Sequence, residues 1–146
     1  MLRSATEQDA EVIRALLVEC SLPTEDLTRS RPDFVVACNG SAIVGVAALE
    51  RFGDTGLLRS VAVSPDHRGF GIGRSLVSHL ELRAREVGLA ELVLLTLTAR
   101  EFFKELGYRI IEGQHAPLAV QSSEEFRSLC PQSAACLSKR LAAVTA

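Results

Sequence analysis

The sequence predicts a mixed α/β (α+β) fold with a central sheet of six or seven strands and about four helices. Short apolar runs of strand length alternate with segments whose apolar residues recur at helical spacing, and glycine or proline separates most of them. With 146 residues and 47% hydrophobic composition, the chain has the size of one domain with an ordinary aliphatic core.

The N-terminal half predicts a strand, a helix and a hairpin. Residues 2–5 are a strand candidate, and Thr6 begins a helix that ends before Pro23. Residues 24–29 predict one further helical turn. The Asn39-Gly40 pair between two apolar runs indicates a hairpin, with strands over 33–38 and 42–49.

The remaining elements follow in the same order along the chain. A polar loop over 51–55 precedes a strand over 56–63, and after a glycine-rich turn a helix ends at Gly88. The pattern then predicts strands over 92–97, 108–111 and 134–141, and helical segments over 99–106, 117–121 and 123–130. The apolar last strand is a candidate for pairing across a homodimer.

A glycine-rich turn is the most informative local pattern. Gly69, Gly71 and Gly73 stand at alternate positions directly before a predicted helix. Without Cβ atoms, this backbone exposes a run of N–H groups, to which the helix N-terminus adds its own. Arg68 stands beside them as a fixed cation, so the turn predicts a site for phosphate oxygens.

Several ligand classes do not fit this turn. No lysine follows the glycines, as a nucleoside-triphosphate loop requires, and five residues separate Val63 from Gly69, unlike a dinucleotide fold. A net charge of −2 without a basic run argues against nucleic acid. The longest apolar run, 42–49, is too short to span a bilayer, and the N-terminus lacks a signal-peptide pattern, so we expect a cytoplasmic protein.

The pattern Arg68-x-x-Gly71-x-Gly73 after a Val-Ala-Val-Ser-Pro strand end resembles the acetyl-coenzyme A site of the GNAT superfamily of N-acetyltransferases. The order of elements over residues 2–111, with Phe102-Phe103-x-x-x-Gly107-Tyr108, strengthens the likeness. The resemblance implies one GNAT domain over residues 1–146 that transfers an acetyl group from acetyl-coenzyme A to a small amine, without a metal. A coenzyme A-binding sensor or structural domain without turnover is the alternative.

The resemblance also implies where coenzyme A binds. The strands over 56–63 and 92–97 should run parallel and splay apart around the pantetheine arm. A backbone N–H of Val61 or a neighbour would stabilise the oxyanion. The resemblance implies contacts from the backbone of Val61, Ala62 and Val63 and from Thr96. It also implies contacts from the glycine-rich turn, which comprises Arg68, Gly69, Phe70, Gly71, Ile72, Gly73, Arg74 and Ser75.

Acetyl transfer needs a base, since a free amine is mostly protonated at neutral pH. Glu50, at the end of an apolar strand, is the first candidate, and Asp54 and His115 are weaker ones. Arg59 and Ser60, the candidate substrate-binding residues, interrupt the apolar strand over 56–63 just before the residues at which the resemblance places the acetyl thioester. Arg59 could hold a substrate carboxylate bidentately, and a structural ion pair is the alternative.

Two positions depart from the family pattern. Phe103 stands where many GNAT enzymes have a tyrosine that protonates the leaving thiolate, and Thr96 stands where an asparagine is frequent. Phenylalanine cannot donate a proton, so water, Thr96, Thr98 or a tail residue would have to. Tyr108 is predicted to be a core residue.

The tail over 125–136, with residues 56–60, resembles small GNAT proteins from arsenic-resistance operons. This likeness implies an amino-acid-like acceptor, with an organoarsenical as one candidate. Cys130 and Cys136 are candidate arsenic or substrate contacts, and buried free thiols are the alternative. Cys20 and Cys38 are predicted to be buried free thiols.

Overall fold

A computed structural model describes residues 1–129 and 134–142. Its described strands form one mixed sheet in the order β1-β2-β3-β4-β5-β7-β6, in which only β4 and β5 pair in parallel. The predicted mixed fold is therefore confirmed. The strands are β1 (Leu2–Ser4), β2 (Asp33–Asn39), β3 (Ala42–Phe52), β4 (Thr55–Val63), β5 (Glu91–Thr96), β6 (Arg109–Ile111) and β7 (Ala135–Arg140).

The helices match the predicted order. Short 3₁₀ turns precede α1, follow β4 and follow β6, and the predicted helix over 123–130 is a π-helical segment, Glu125–Leu129. No helix in the described part of the chain is long and apolar enough to cross a membrane. The α-helices are α1 (Ala10–Glu19), α2 (Leu27–Ser30), α3 (Ile72–Glu86), α4 (Arg100–Glu105) and α5 (Leu118–Gln121).

The β3–β4 hairpin is longer than the sequence predicts. β3 continues to Phe52 and β4 begins at Thr55, so the predicted loop over 51–55 contracts to a turn at Gly53 and Asp54. Gly53 has a φ of +64°, which glycine adopts without strain. The long hairpin carries Glu50 into the sheet, where it pairs across from Leu57.

Helices cover both faces of the sheet. On one face, α3 buries Leu76 and Leu80 against a cluster that includes Leu58 of β4. On the other face, α1 buries Leu17 against Ala62. Further along the second face, α5 packs Val120 against Leu57. Apolar burial on two faces is what the strongly apolar β4 and β5 predict.

The parallel pairing of β4 and β5 stops halfway. Thr55, Gly56 and Leu57 pair with β5, and no residue of β4 beyond Leu57 does. The two strands therefore diverge towards their carboxyl ends, which confirms the expected splay. Gly56 allows the close approach before the divergence, since a Cβ there would lie 2.7 Å from side-chain atoms of both Leu49 and Leu92.

The position of β7 corrects one expectation. β7 lies between β5 and β6 and is paired antiparallel with both. Because β5 pairs along one edge of β7 and β6 covers residues 136–138 on the other, the last strand is not the open edge that the sequence suggested, and a homodimer formed through it stays a prediction. The outer strands of the sheet are β1 and β6.

Candidate active site

A cavity of about 1020 Å³ occupies the space between the diverging strands. The second half of β4, the carboxyl end of β5 and the start of the α4 region form its walls. The glycine-rich turn closes one end, and the connection between α1 and α2 lines the cavity together with Glu125. The residues expected around coenzyme A thus converge on one space, with Phe70 and Ser75 as exceptions described below.

β4 is irregular where it borders this cavity. Val46 pairs with Ala62 and Ala48 with Arg59, so two residues of β4, Ser60 and Val61, lie opposite one residue of β3. This β-bulge takes backbone groups of β4 out of regular pairing beside the cavity. That arrangement suits the N–H role expected for Val61, which stays a prediction.

The bulge places Ser60 in an unusual environment. Its φ of +59° is a left-handed conformation that a non-glycine residue rarely adopts, at a cost of about 1–3 kcal/mol. The Ser60 hydroxyl is buried and finds no hydrogen-bond partner among the described residues. Strain and an unpaired buried hydroxyl at the same residue are typical of a functional site.

The glycine-rich turn has the open backbone that the sequence predicts. Gly69 and Gly71 have φ values of +86° and +81°, and a Cβ at either would meet no atom within 4 Å. Gly71 is the N-cap of α3, so the first N–H groups of that helix, from Ile72 to Arg74, point out of the helix end without an intrahelical acceptor. Donors of this kind, with the helix dipole, fit phosphate oxygens.

Two residues of the turn stand apart from the other predicted contacts. The N–H of Ser75 donates to the carbonyl of Gly71 at 3.0 Å, so this N–H is not free for a phosphate, and the predicted contact of Ser75 with coenzyme A would have to come from its hydroxyl. Phe70 is 78% exposed and does not line the cavity. The predicted contact of Phe70 with coenzyme A stays a prediction.

Arg68 joins the turn to neighbouring elements. Its Nε donates to the Val63 carbonyl at 3.0 Å, and Nη2 lies 3.5 Å from the Sγ of Cys20. Cys20 and Cys38 are free thiols as predicted, although both are only half-buried, and Cys20 lines the cavity. Arg68 keeps guanidinium donors for an anion while its position is fixed by Val63.

At the other end of the cavity, four charged side chains form what we call the acceptor-end cluster: Arg59, Asp26, Glu50 and Glu125. Arg59 donates from both terminal nitrogens to Asp26, at 2.6 and 2.7 Å, and from Nη1 to Glu50 at 3.0 Å. Glu125 Oε1 lies 3.6 Å from Arg59 Nε. The ion-pair alternative for Arg59 is what the structure contains, and a bidentate grip on a substrate by its terminal nitrogens is not available.

The carboxyl groups of the cluster differ in the direction in which their pKa values are shifted. Burial alone would raise the pKa of Asp26, but hydrogen bonds from Arg59 and Ser30 outweigh it and the pKa is lowered. Burial raises the pKa of Glu50 against the opposing effect of Arg59. Burial raises the pKa of Glu125 to about 7, again against Arg59. The Arg59 guanidinium therefore stabilises the ionised form of Asp26 enough to lower its pKa, but does not offset the effect of burial on Glu50 and Glu125.

The base candidates from the sequence lie away from the cavity wall. Glu50 does not line the cavity and touches the cluster through Arg59. Asp54 lies in the β3–β4 turn and His115 in the 3₁₀ turn after β6, and neither lines the cavity. Glu125, which the sequence did not single out as a base, does line it.

The side chains near the expected leaving group match the sequence interpretation. Thr96, Thr98 and Phe103 all line the cavity, and the Thr96 hydroxyl accepts a hydrogen bond from the Ala99 N–H at 3.0 Å. Tyr108 is 2% exposed and donates to Glu81 at 2.8 Å, which confirms it as a core residue.

One of the two tail cysteines, Cys136, lies in the described residues. Cys136 is buried in β7, and burial raises the pKa of its thiol to about 11. Such a thiol is a poor ligand and nucleophile at neutral pH. Cys130 lies outside the described residues. Within residues 1–129 and 134–142, no group of three or more potential metal-ligating side chains lies together.

A mixed sheet with a splayed parallel pair, a bulged strand and a glycine-rich helix start defines the class of acyl-coenzyme A N-acyltransferase folds. A family model described as an acetyltransferase (GNAT) domain matches residues 30–110. The chain belongs to this GNAT acetyltransferase family.

Acetyltransferases of other bacteria are similar to this chain in sequence. An amino-acid acetyltransferase of Azotobacter vinelandii is 34% identical over 130 residues, which cover 83% of this chain and 30% of the relative. An uncharacterised N-acetyltransferase of Chlorobaculum tepidum is 33% identical over 113 residues, covering 77% of this chain and 70% of the relative. The chain thus spans about a third of the amino-acid acetyltransferase that it matches.

Solved structures give the same fold. The N-acetylglutamate synthase of Neisseria gonorrhoeae, crystallised with coenzyme A and N-acetyl-glutamate, aligns with a TM-score of 0.83 and 25% identity over 97% of this chain and 35% of that chain. A Mycobacterium tuberculosis protein crystallised with coenzyme A aligns with a TM-score of 0.80 and 25% identity, covering 97% and 99% of the two chains.

Proposed function

We propose that this protein transfers the acetyl group of acetyl-coenzyme A to the amino group of a small, amino-acid-like acceptor. The observation that carries the proposal is the cavity between β4 and β5. The open backbone of the glycine-rich turn lies at one end of it, and the buried acceptor-end cluster lies at the other. The amino-acid acetyltransferases among its relatives support the choice of acceptor.

The residues present fit coenzyme A. Its phosphates would lie on Gly69, Gly71 and the first N–H groups of α3, with Arg68 and Arg74 as cations. The backbone from Val61 to Val63, which begins at the bulge, would bind the pantetheine arm. When bound, acetyl-coenzyme A supplies an activated thioester carbonyl. The N–H of Val61 would act as the donor for the charge that develops on its oxygen.

The acceptor would bind beside Arg59 and Ser60. The Arg59 Nε and the Ser60 hydroxyl are buried donors without a hydrogen-bond partner among the described residues. Unpaired buried donors are unfavourable by about 1–3 kcal/mol each, so a ligand that accepts from them gains affinity. A carboxylate on the acceptor is such a ligand, and it would receive one hydrogen bond from each residue.

The leaving thiolate needs a proton that Phe103 cannot give. Thr96 and Thr98 line the cavity, and the Thr96 oxygen already accepts from Ala99, which leaves its hydroxyl hydrogen free to be donated. We therefore assign the proton to these hydroxyls or to water that they bind. The acceptor amine would attack the thioester directly in a ternary complex.

An acceptor screen tests the proposal. The protein is incubated with acetyl-coenzyme A and a panel of amines, and free coenzyme A thiol and N-acetylated products are measured. The panel contains amino acids, arsenic- and phosphorus-containing amino-acid analogues, and amines without a carboxylate. Transfer to amino-acid-like acceptors is expected, and an arsenical preference would support the closer resemblance of the tail. Tight binding of acetyl-coenzyme A without any transfer would favour the sensor alternative.

A further inference from the structure

Glu125 is a buried carboxyl group whose environment the mechanism above does not explain. It is 4% exposed, lines the cavity, and its Oε2 has no hydrogen-bond partner among the described residues. Its other oxygen lies 3.6 Å from Arg59 Nε, beyond a normal hydrogen bond. A carboxyl group held only for structure would be expected to use both oxygens.

The local backbone adds a second observation. Glu125 begins a π-helical segment that runs to Leu129. Single π-helical turns are rare and occur frequently at functional sites, because the extra residue redirects side chains. Here the segment brings an acidic side chain from the tail to the end of the cavity opposite the glycines.

The charge of this region favours a cationic group. Arg59 already shares its terminal nitrogens with Asp26 and Glu50, so Glu125 adds a carboxyl group that no described guanidinium fully pairs. Glu25, on the connection between α1 and α2, lines the same cavity. An ammonium group would therefore find acceptors and a favourable potential there.

We propose, on the basis of the proposed function, that Glu125 binds the ammonium form of the acceptor and removes its proton, as the general base of the reaction. The N–H bond of the ammonium breaks, an O–H bond forms on Glu125, and the nitrogen keeps the electron pair with which it attacks the thioester carbon. The carbon–sulfur bond then breaks. The second nitrogen proton leaves and one proton reaches the thiolate, so ammonium and thioester give amide, thiol and one proton released to solvent.

The acidity of Glu125 agrees with this role. Burial raises its pKa to about 7; Arg59 opposes the rise, and the charges of Asp26 and Glu50 add to it. A base acts best when its pKa lies near the working pH. Glu50 does not line the cavity, so it is not placed to take a proton from an acceptor bound there.

Steady-state rates across a pH range of about 5.5–9 test the proposal. The proteins compared are wild type, Glu125→Gln, Glu50→Gln and Glu124→Gln. Glu124→Gln is the matched control, because it removes the same charge at the neighbouring residue. The Glu124 side chain pairs with Arg29 and does not line the cavity. Glu125→Gln should lower kcat/KM by about 100-fold and remove the acidic limb of the profile. Glu124→Gln should leave both unchanged.

The Glu50→Gln variant distinguishes Glu50 from Glu125 as the general base. Glu50→Gln removes a like charge near Glu125, so it should move the acidic limb to lower pH and keep it. Loss of the limb in Glu50→Gln and its survival in Glu125→Gln would overturn the proposal in favour of Glu50. Coenzyme A binding by Glu125→Gln, measured calorimetrically, checks that this variant is folded, and Glu125→Asp replaces it if not. If wild type itself shows no transfer to any acceptor, the proposed function fails rather than the assignment of Glu125.

Discussion

Arg59 and Asp26, 33 residues apart in sequence, form a bidentate ion pair in which both side chains are fully buried. The pair joins the start of α2 to β4 directly before the bulge at Ser60. The acceptor end of the cavity therefore depends on a contact between the α1–α2 connection and the sheet.

This ion pair predicts a large stability effect. Asp26→Asn leaves the Arg59 guanidinium buried with its main partner neutralised, and breaking a buried pair in this way costs about 3–5 kcal/mol. Urea unfolding should show that loss in the free energy of unfolding. Asp33→Asn, at an exposed position of β2, is the control and should change it by less than about 0.5 kcal/mol. Equal effects of the two variants would contradict the assigned role of the pair.

Glu125 predicts a stability change of opposite sign. Its pKa of about 7 in the folded state lies above the ordinary value of 4.5, so its contribution to stability is present below about pH 4.5 and is lost as the pH rises through 7. Glu125→Gln stays neutral and should be more stable than wild type at pH 8, by about 3 kcal/mol, with the difference vanishing near pH 4.5. Chemical denaturation at both pH values measures this. A variant less stable than wild type at pH 8 would indicate that Glu125 serves as a structural ion-pair partner.

The open backbone at Gly71 predicts a binding defect. Gly71→Leu would place a side chain over the N–H groups at the start of α3 and weaken coenzyme A binding at least about tenfold, a loss of 1.4 kcal/mol or more. Gly40→Leu is a matched control, because Gly40 also has a positive φ and open space around a Cβ, but lies in the β2–β3 turn. Titration calorimetry with coenzyme A compares the two. Unchanged affinity in Gly71→Leu would remove the glycine-rich turn as the phosphate site.

Tyr108 predicts a purely structural phenotype. Its hydroxyl donates to Glu81, which Lys139 also contacts at 3.1 Å, so Tyr108→Phe removes one of several partners of a buried carboxylate. We expect a loss of about 1–2 kcal/mol in unfolding free energy with kcat unchanged. A drop in kcat at unchanged stability would indicate a catalytic hydroxyl instead.

The sequence predicts most of the framework because the relevant signals are local. Alternating glycines before a helix, the Asn39-Gly40 turn and the apolar run of β5 each depend on neighbouring residues only. The gap between β4 and β5 was expected from the resemblance to the GNAT superfamily, which rests on these signals and their order. The position of β7 between β5 and β6 was not readable, since strand order depends on contacts between residues far apart in sequence.

The acceptor end was less predictable for the same reason. Nothing around Asp26 signals that it pairs with Arg59, and nothing around Glu125 signals burial, because both follow from packing of distant segments. The bulge at Ser60 was also unreadable, since serine carries no preference for a positive φ. Of the residues that the sequence did name there, Arg59 and Ser60 stood out because they interrupt an apolar strand, and Glu50 because it ends one.

Two-substrate kinetics test the central claim most directly. Initial rates of N-acetyl product formation are measured while acetyl-coenzyme A and the best amine of the screen are varied together. Direct transfer within one cavity predicts an N-acetylated product and intersecting double-reciprocal lines, as a ternary complex requires. Parallel lines with an acetylated enzyme, or bound acetyl-coenzyme A that no amine consumes, would contradict it.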